Sequence, residues 1–218
     1  VKAVVFTTYG VILDEKLKTL LSQELMFPSF KNGRWVWLVQ RVIGGRVLEE
    51  IIKPWDDKLP EAIIEKIEEE QQEHNKTTFF SERLPTPVKK LLLKSRLLIS
   101  HQLLAALPLE DDELLERLNE WLLPFIQPTT NPNQLPWREA LEFYLGFERL
   151  QKIEQLLPEY IELPSGRKVA IEFNELGEIC VAAKLQEFFG CEELSLAKTG
   201  LPIKISLLSP NGSSLAVT

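Results

Sequence analysis

The sequence predicts an α+β fold: a small OB-like β-rich N-terminal part (1–56), a helical region (57–157) and a small β-rich C-terminal domain (158–218), truncated at its end. Two patterns predict it. The first and last parts alternate apolar with polar side chains between Gly, Pro and Asn turns, as half-buried strands do. The middle repeats Leu and Ile at helical spacing.

Taken in order, Val1 to Tyr9 is extended by its β-branched and aromatic content, and Asp14 caps a helix carrying Leu17, Leu20 and Leu21. Lys31-Asn32-Gly33 turns the chain into Arg34-Trp35-Val36-Trp37-Leu38-Val39. Gly44-Gly45 turns it again into Arg46 to Ile52, closing a hairpin. Strand, helix and hairpin together suit a partly open OB-like barrel.

In the middle, Pro60 sits where a helix can begin, with Ile63, Ile64 and Ile67 as its apolar stripe and Glu65 to Glu73 as its solvated face. A second helix follows Pro85 and Pro87, with core positions Val88, Leu91, Leu92, Leu98 and Leu104. A third opens at Asp111 or Asp112 and carries Leu114, Leu115, Leu118, Trp121 and Leu122. Gln127 to Pro136 reads as a linker, and Trp137 to Leu157 as one long helix interrupted in composition by Gly146. In the last part, Tyr160–Leu163 and Lys168–Phe173 are strands around Pro164-Ser165-Gly166. A short helix is expected from Val181 or Ala182 to Phe189. Ile203, Ile205 and Leu207 mark another strand, and Pro210-Asn211-Gly212 turns into the last one.

Composition narrows the functions available. Hydrophobic residues are 44% and charged residues 26% of 218, enough to build a core. The net charge of −7 supplies no global field toward nucleic acid, so any such contact needs a local patch. Cys180, Cys191, His74 and His101 lack the spacing of a zinc site. No apolar run approaches the ~20 residues that span a bilayer and there is no signal-peptide pattern, so a cytoplasmic protein without a membrane partner is expected. The chain starts at Val1 inside one strand-like run and stops at Thr218 inside another, which suggests a piece of a longer polypeptide.

No phosphate-binding loop, nucleophile elbow or Gly-rich dinucleotide turn is present, and Lys198-Thr199-Gly200 lacks any companion nucleophile signature. No catalytic residue, metal ligand or cofactor is therefore assigned to this chain. Two features have the chemistry for nucleic acid. Between Glu82 and Glu110 the chain has no acidic residue but carries Arg83, Lys89, Lys90, Lys94 and Arg96. Lys90 and Lys94 lie four apart and so share a helix face. The hairpin carries Arg34, Trp35, Trp37, Arg41 and Arg46. Its two tryptophans project from one strand face, where rings can stack on unpaired bases. The competing reading makes the tryptophans core and the lysines solvated surface. The candidate contacts are Arg34, Trp35, Trp37, Arg41, Lys89, Lys90 and Lys94.

Four blocks carry a resemblance. They are Leu163-Pro164-Ser165-Gly166-Arg167 with its strand to Phe173; Val181-Ala182-Ala183-Lys184-Leu185-Gln186-Glu187-Phe188-Phe189-Gly190; Gly200-Leu201-Pro202-Ile203; and Leu207-Leu208-Ser209-Pro210. In order and spacing they resemble the C-terminal region of the HrpB family, bacterial DExH-box ATP-dependent helicases. Gly44 to Glu50 and Asp112 to Pro124 agree more loosely. The resemblance implies that the ATPase, with its ATP and Mg, lies in two motor domains preceding this region. It implies an accessory role for this chain, with RNA or single-stranded nucleic acid and the motor domains of the same chain as partners. Members continue beyond the position of Thr218 with an aromatic and basic segment. The alternative is a protein–protein interaction module without nucleic-acid binding, which the negative charge favours.

Overall fold

The computed structural model describes residues 21–73, 83–163, 165–174, 177–189, 196, 199–209 and 214–217. The expected strand Val1–Tyr9 and the helix capped by Asp14 lie outside them, apart from Leu21. In chain order the elements are β1 (Gln23–Lys31), β2 (Arg34–Ile43), β3 (Arg46–Lys53), α1 (Leu59–Glu73), α2 (Thr86–Ser100), α3 (Asp111–Glu116), α4 (Leu118–Trp121), α5 (Trp137–Leu145), α6 (Phe147–Leu156), β4 (Tyr160–Glu162), β5 (Lys168–Phe173), β6 (Ile179–Lys184), β7 (Ile203–Leu208) and β8 (Ser214–Val217). Helices and sheets are both present, as an α+β protein requires. The chain forms two compact units, one of Val1–Asn75 with Leu118–Pro136, the other of Lys76–Arg117 with Trp137–Thr218. The helices of 57–157 contribute to both.

In the first unit, β1, β2 and β3 make an antiparallel meander in that order. Both connections are two-residue turns with positive φ throughout, at Asn32-Gly33 (52° and 77°) and Gly44-Gly45 (54° and 80°). That is the backbone whose twist matches the flanking strands, and Asn and Gly are the residues that adopt it without strain. Trp35 to Val39 in central β2 are five successive buried residues, so both faces of the strand are covered there. β3 is exposed along its whole length. α1 begins at Leu59-Pro60 and buries Leu59, Ile63, Ile64 and Ile67 while packing on β1, β2 and α4. Burying each such aliphatic side chain stabilises by about 1.5–3 kcal/mol. An OB-like barrel closes five strands on one another. The described residues of this unit form the three-stranded meander.

In the second unit, Val88, Leu92, Ser95 and Leu98 form the buried stripe of α2, which packs on α5 and α6. α3 is opened by a reciprocal cap: the Glu110 amide donates to Glu113 Oε2 at 3.0 Å. Asp111 and Asp112 occupy its first turn, where the helix dipole favours negative charge. The single helix expected over Trp137–Leu157 is two. Gly146, at φ 77° and ψ 158°, separates α5 from α6 in a backbone region that only glycine enters readily.

β4-β5-β6-β7-β8 is the strand order of a five-stranded sheet, antiparallel except for the parallel pair β6–β7. The helix expected from Val181 to Phe189 is instead the end of β6 followed by a 3-10 turn, Leu185–Phe188. Ile179, Val181 and Ala183 are fully buried and alternate with more exposed neighbours, so the period is two. Among the described residues no helix is long and apolar enough to cross a membrane.

An added Cβ at Gly146 meets nothing within 4 Å, so substitution there probes backbone strain alone. Gly146→Ala is expected to destabilise by about 1–3 kcal/mol, read as a lower urea midpoint. An unchanged midpoint would mean that α5 and α6 join in another way.

Candidate nucleic-acid interface

The candidate residues fall into two sets, one in each unit. Arg34, Trp35, Trp37 and Arg41 lie on β2, and Lys89, Lys90 and Lys94 lie on α2.

Trp35 and Trp37 do share a strand face, and that face is buried. They are 5% and 7% exposed. Each indole N–H is already bonded: Trp35 Nε1 donates to the Thr130 carbonyl at 2.7 Å, and Trp37 Nε1 to Asp56 Oδ1 at 2.9 Å. The Trp35 amide, past the end of the β2–β3 ladder at Trp37↔Lys53, donates to the Pro128 carbonyl at 2.7 Å. Phe30 meets the Trp35 ring edge-on at 5.6 Å. The segment read as a linker thus seals the tryptophan face of β2, and neither ring offers a free surface to a base.

Asp56, which sequence reasoning passed over, organises this corner. The same Oδ1 accepts from the Lys58 and Leu59 amides at 3.1 and 3.0 Å, at the start of α1. An Asp three residues before a helical Leu-Pro is a capping signal that could have found it. The Trp37 hydrogen bond, assisted by those amides and by Lys58, holds its carboxyl below the usual aspartate range.

Arg34 is exposed at the start of β2 opposite Lys31. Arg41 is less available to a phosphate. Its guanidinium pairs with Glu49 at 3.0 Å across the β2–β3 ladder, and its register partner on β1 is Glu24. Glu24, Val39, Arg41, Glu49 and Ile51 line one shallow groove in which carboxylates outnumber the cation. Leu25, Met26, Val47, Leu48, Ile51 and Ile52 are exposed apolar side chains of β1 and β3, Met26 and Ile51 on the groove's face of the sheet and Leu25 and Ile52 on the other.

On α2 the three lysines differ. Lys89 and Lys90 are half-buried at the surface. Lys94 is only 5% exposed, and its Nζ donates to the Leu157 carbonyl at 2.5 Å, at the C-terminal end of α6. Burial pushes its ammonium pKa down, with Lys90 adding repulsion while Glu154 and Glu159 oppose the shift. The four-residue spacing of Lys90 and Lys94 gave a shared side but not its direction; Lys94 faces inward and binds a helix end where positive charge is favoured. Arg96 is likewise engaged: its Nε donates to the Leu109 carbonyl at 2.8 Å and its guanidinium pairs with Asp111. Of the seven candidates, Arg34 is exposed and Lys89 and Lys90 are half-buried, Lys90 on the side of α2 that carries the buried Lys94.

Comparison with known proteins bears on what this surface serves. Residues 121–218 match the family described as ATP-dependent helicase C-terminal. The ATP-dependent RNA helicase HrpB of Escherichia coli (strain K12) is 26% identical over 178 residues, which are 78% of this chain and 21% of that protein. The chain therefore spans about a fifth of that relative's length. In fold, the E. coli DExH-box NTPase HrpB superposes over 95% of this chain and 26% of its own, with a TM-score of 0.62 at 20% identity. The Escherichia coli DEAH/RHA helicase HrpB does so over 90% and 25%, with a TM-score of 0.62 at 22% identity.

Two expectations follow from the geometry. Lys94→Ala removes a buried stem and orphans the Leu157 carbonyl, so it should destabilise by about 2–4 kcal/mol, measured by chemical denaturation. A cost near zero would place Lys94 in solvent. For Asp56, a folded pKa below the unfolded value means that its contribution is complete above the ordinary aspartate pKa of about 3.9. It disappears as pH falls through the lowered value. The urea midpoint of Asp56→Asn should consequently depend less on pH below about 4 than that of the parent chain; parallel pH curves would contradict the Trp37–Asp56 bond.

Proposed function

We propose that the chain, whose residues 121–218 match the family described as ATP-dependent helicase C-terminal, is the accessory part of an ATP-dependent helicase that holds or orients RNA beside the motor or braces the motor domains. The family match carries this reading. In it, ATP and Mg2+ belong to motor domains that this sequence does not contain, because no phosphate-binding loop occurs in it. The chain itself performs no chemistry; its partners are single-stranded RNA and the motor domains, in the cytoplasm.

The physical mechanism is electrostatic. With a net charge of −7, the chain as a whole repels a polyanion, so contact is confined to cations that the fold leaves outward. Arg34 on β2 meets that condition fully, and the half-buried Lys89 and Lys90 on α2 meet it in part; Lys94, Trp35 and Trp37 support the elements that present them. Few phosphate contacts give weak binding that fades with salt.

A second reading has an observation of its own. Leu25, Met26, Val47, Leu48, Ile51 and Ile52 are each between 44% and 54% exposed on the meander. They divide between the two faces of the sheet, Met26 and Ile51 on one and Leu25 and Ile52 on the other, and exposed apolar side chains on a sheet face can mark a protein interaction surface. On that reading the chain braces a protein partner and needs no RNA.

Salt titration separates the two. Affinity for a single-stranded oligoribonucleotide should fall with salt. Lys89→Ala and Lys90→Ala should each reduce the slope of log K against log[salt] by about 0.7, whereas Lys94→Met should leave it unchanged. Affinity insensitive to salt, or absent at low salt, would favour the protein-interaction reading. ATP hydrolysis by the purified chain would overturn the accessory role altogether.

A further inference from the structure

Two of the sequence blocks far apart in the chain, 163–167 and 181–189, meet at one end of the five-stranded sheet. β5 is antiparallel to both its neighbours, with Ile161↔Val169 and Glu162↔Lys168 on the β4 side and Ile171↔Val181 on the β6 side. The end of β4, the start of β5 and the end of β6 therefore share an edge. A staple locks the two blocks. Arg167, in the turn after β4, pairs with Glu187 in the 3-10 turn after β6, and Glu187 also accepts from the Lys184 amide at 3.0 Å.

The surface next to the staple carries both apolar and charged side chains. Phe189, immediately after the 3-10 turn, is 68% exposed, and Leu185 at the turn's start is 49% exposed. Arg167 and Lys168 are exposed, and Lys184 is half-buried. Among the described residues the carboxylates at this sheet end are Glu162, opposite Lys168, and Glu187, already engaged by Arg167. Among the described residues, three cations thus accompany two carboxylates at this sheet end, in a chain where acids outnumber bases 32 to 25. Keeping a phenyl ring in water gains nothing for the fold. An exposed ring two residues after the Glu187 that Arg167 holds, on the same sheet end as Lys168, combines what an unpaired nucleotide needs, since the base stacks and its phosphates find positive charge. A protein-docking surface would call for a contiguous apolar patch, and here the apolar side chains stand among charged ones.

We propose that this sheet end is a contact site for one or two nucleotides of single-stranded RNA, with Phe189 as the stacking surface and Arg167 and Lys168 on the flanking phosphates. The inference rests on the RNA-holding reading and adds a site to it. Lys168 and Phe189 are the positions to test, because Arg167 also holds the staple.

The experiment is oligouridylate binding to the whole 218-residue chain by fluorescence anisotropy, with circular dichroism confirming that each variant folds. Phe189→Ala should weaken binding roughly 5- to 150-fold with the salt slope unchanged. Lys168→Ala should reduce that slope by about 0.7. In Phe189→Trp the added indole should lose emission as RNA binds. If the parent chain binds RNA and the alanine variants bind equally well, with no loss of emission from Phe189→Trp, the site is wrong and the RNA-holding reading survives. Absence of binding by the parent chain at low salt removes both.

Discussion

A polar atom carried into a protein core must find a partner there, or the fold bears the cost of stripping it of water, about 1–3 kcal/mol. That constraint organises both units. In the first, two indoles enter the core on one face of β2 and draw distant segments to them. Trp35 captures Thr130, 95 residues away in sequence, and Trp37 captures Asp56. The first of these bonds explains why 118–136 joins a unit whose other residues end at Asn75. The second sets where α1 begins, since the carboxylate that accepts from Trp37 also holds its opening amides. In the second unit the buried ammonium of Lys94 does comparable work, joining α2 to the end of α6 across 63 residues.

The same constraint decides which candidate residues can reach a ligand. Chemistry suited to nucleic acid, a ring or a cation, is equally suited to satisfying a core. Trp35, Trp37, Lys94 and Arg96 serve the fold, and Arg41 sits between carboxylates. What remains for recognition is a small number of outward cations on an acidic chain. Binding that relies on them has to be local and salt-sensitive, and in the accessory role proposed for the chain weak binding would suffice, because tethering raises the effective concentration.

Much of the fold was legible because it rests on short-range rules. Asn32-Gly33 and Gly44-Gly45 announce two-residue hairpins, and Pro87 with Val88, Leu92 and Leu98 announces α2. What failed needed tertiary information. Val181 to Phe189 looks helical by composition, yet parallel pairing of β6 with β7 draws Val181 and Ala183 into a sheet core. Gly146 is tolerated inside many helices, and only its φ of 77° reveals a boundary. The candidate interface was less legible. Period-two and four-residue spacing identified which side chains stand together, but not whether their common face meets water or the rest of the unit. Asp56 was missed because its most telling partner, Trp37, lies on another element.

The sequence blocks that carry the helicase resemblance divide into two kinds of residue once placed in the fold. Leu163, Val181, Ala183 and Leu201 are buried, and Arg167 with Glu187 forms a staple; their identities follow from packing and pairing. Phe189 follows from neither, being exposed and outside the regular hydrogen-bonded elements. Core requirements account for most of a family pattern, so the residues that they leave unexplained are where a ligand can be sought. A ring left facing water contributes little to the stability of the fold. Phe189 stands two residues after the Glu187 that Arg167 holds, which is why a stacking role is proposed for it and not for the buried members of the blocks.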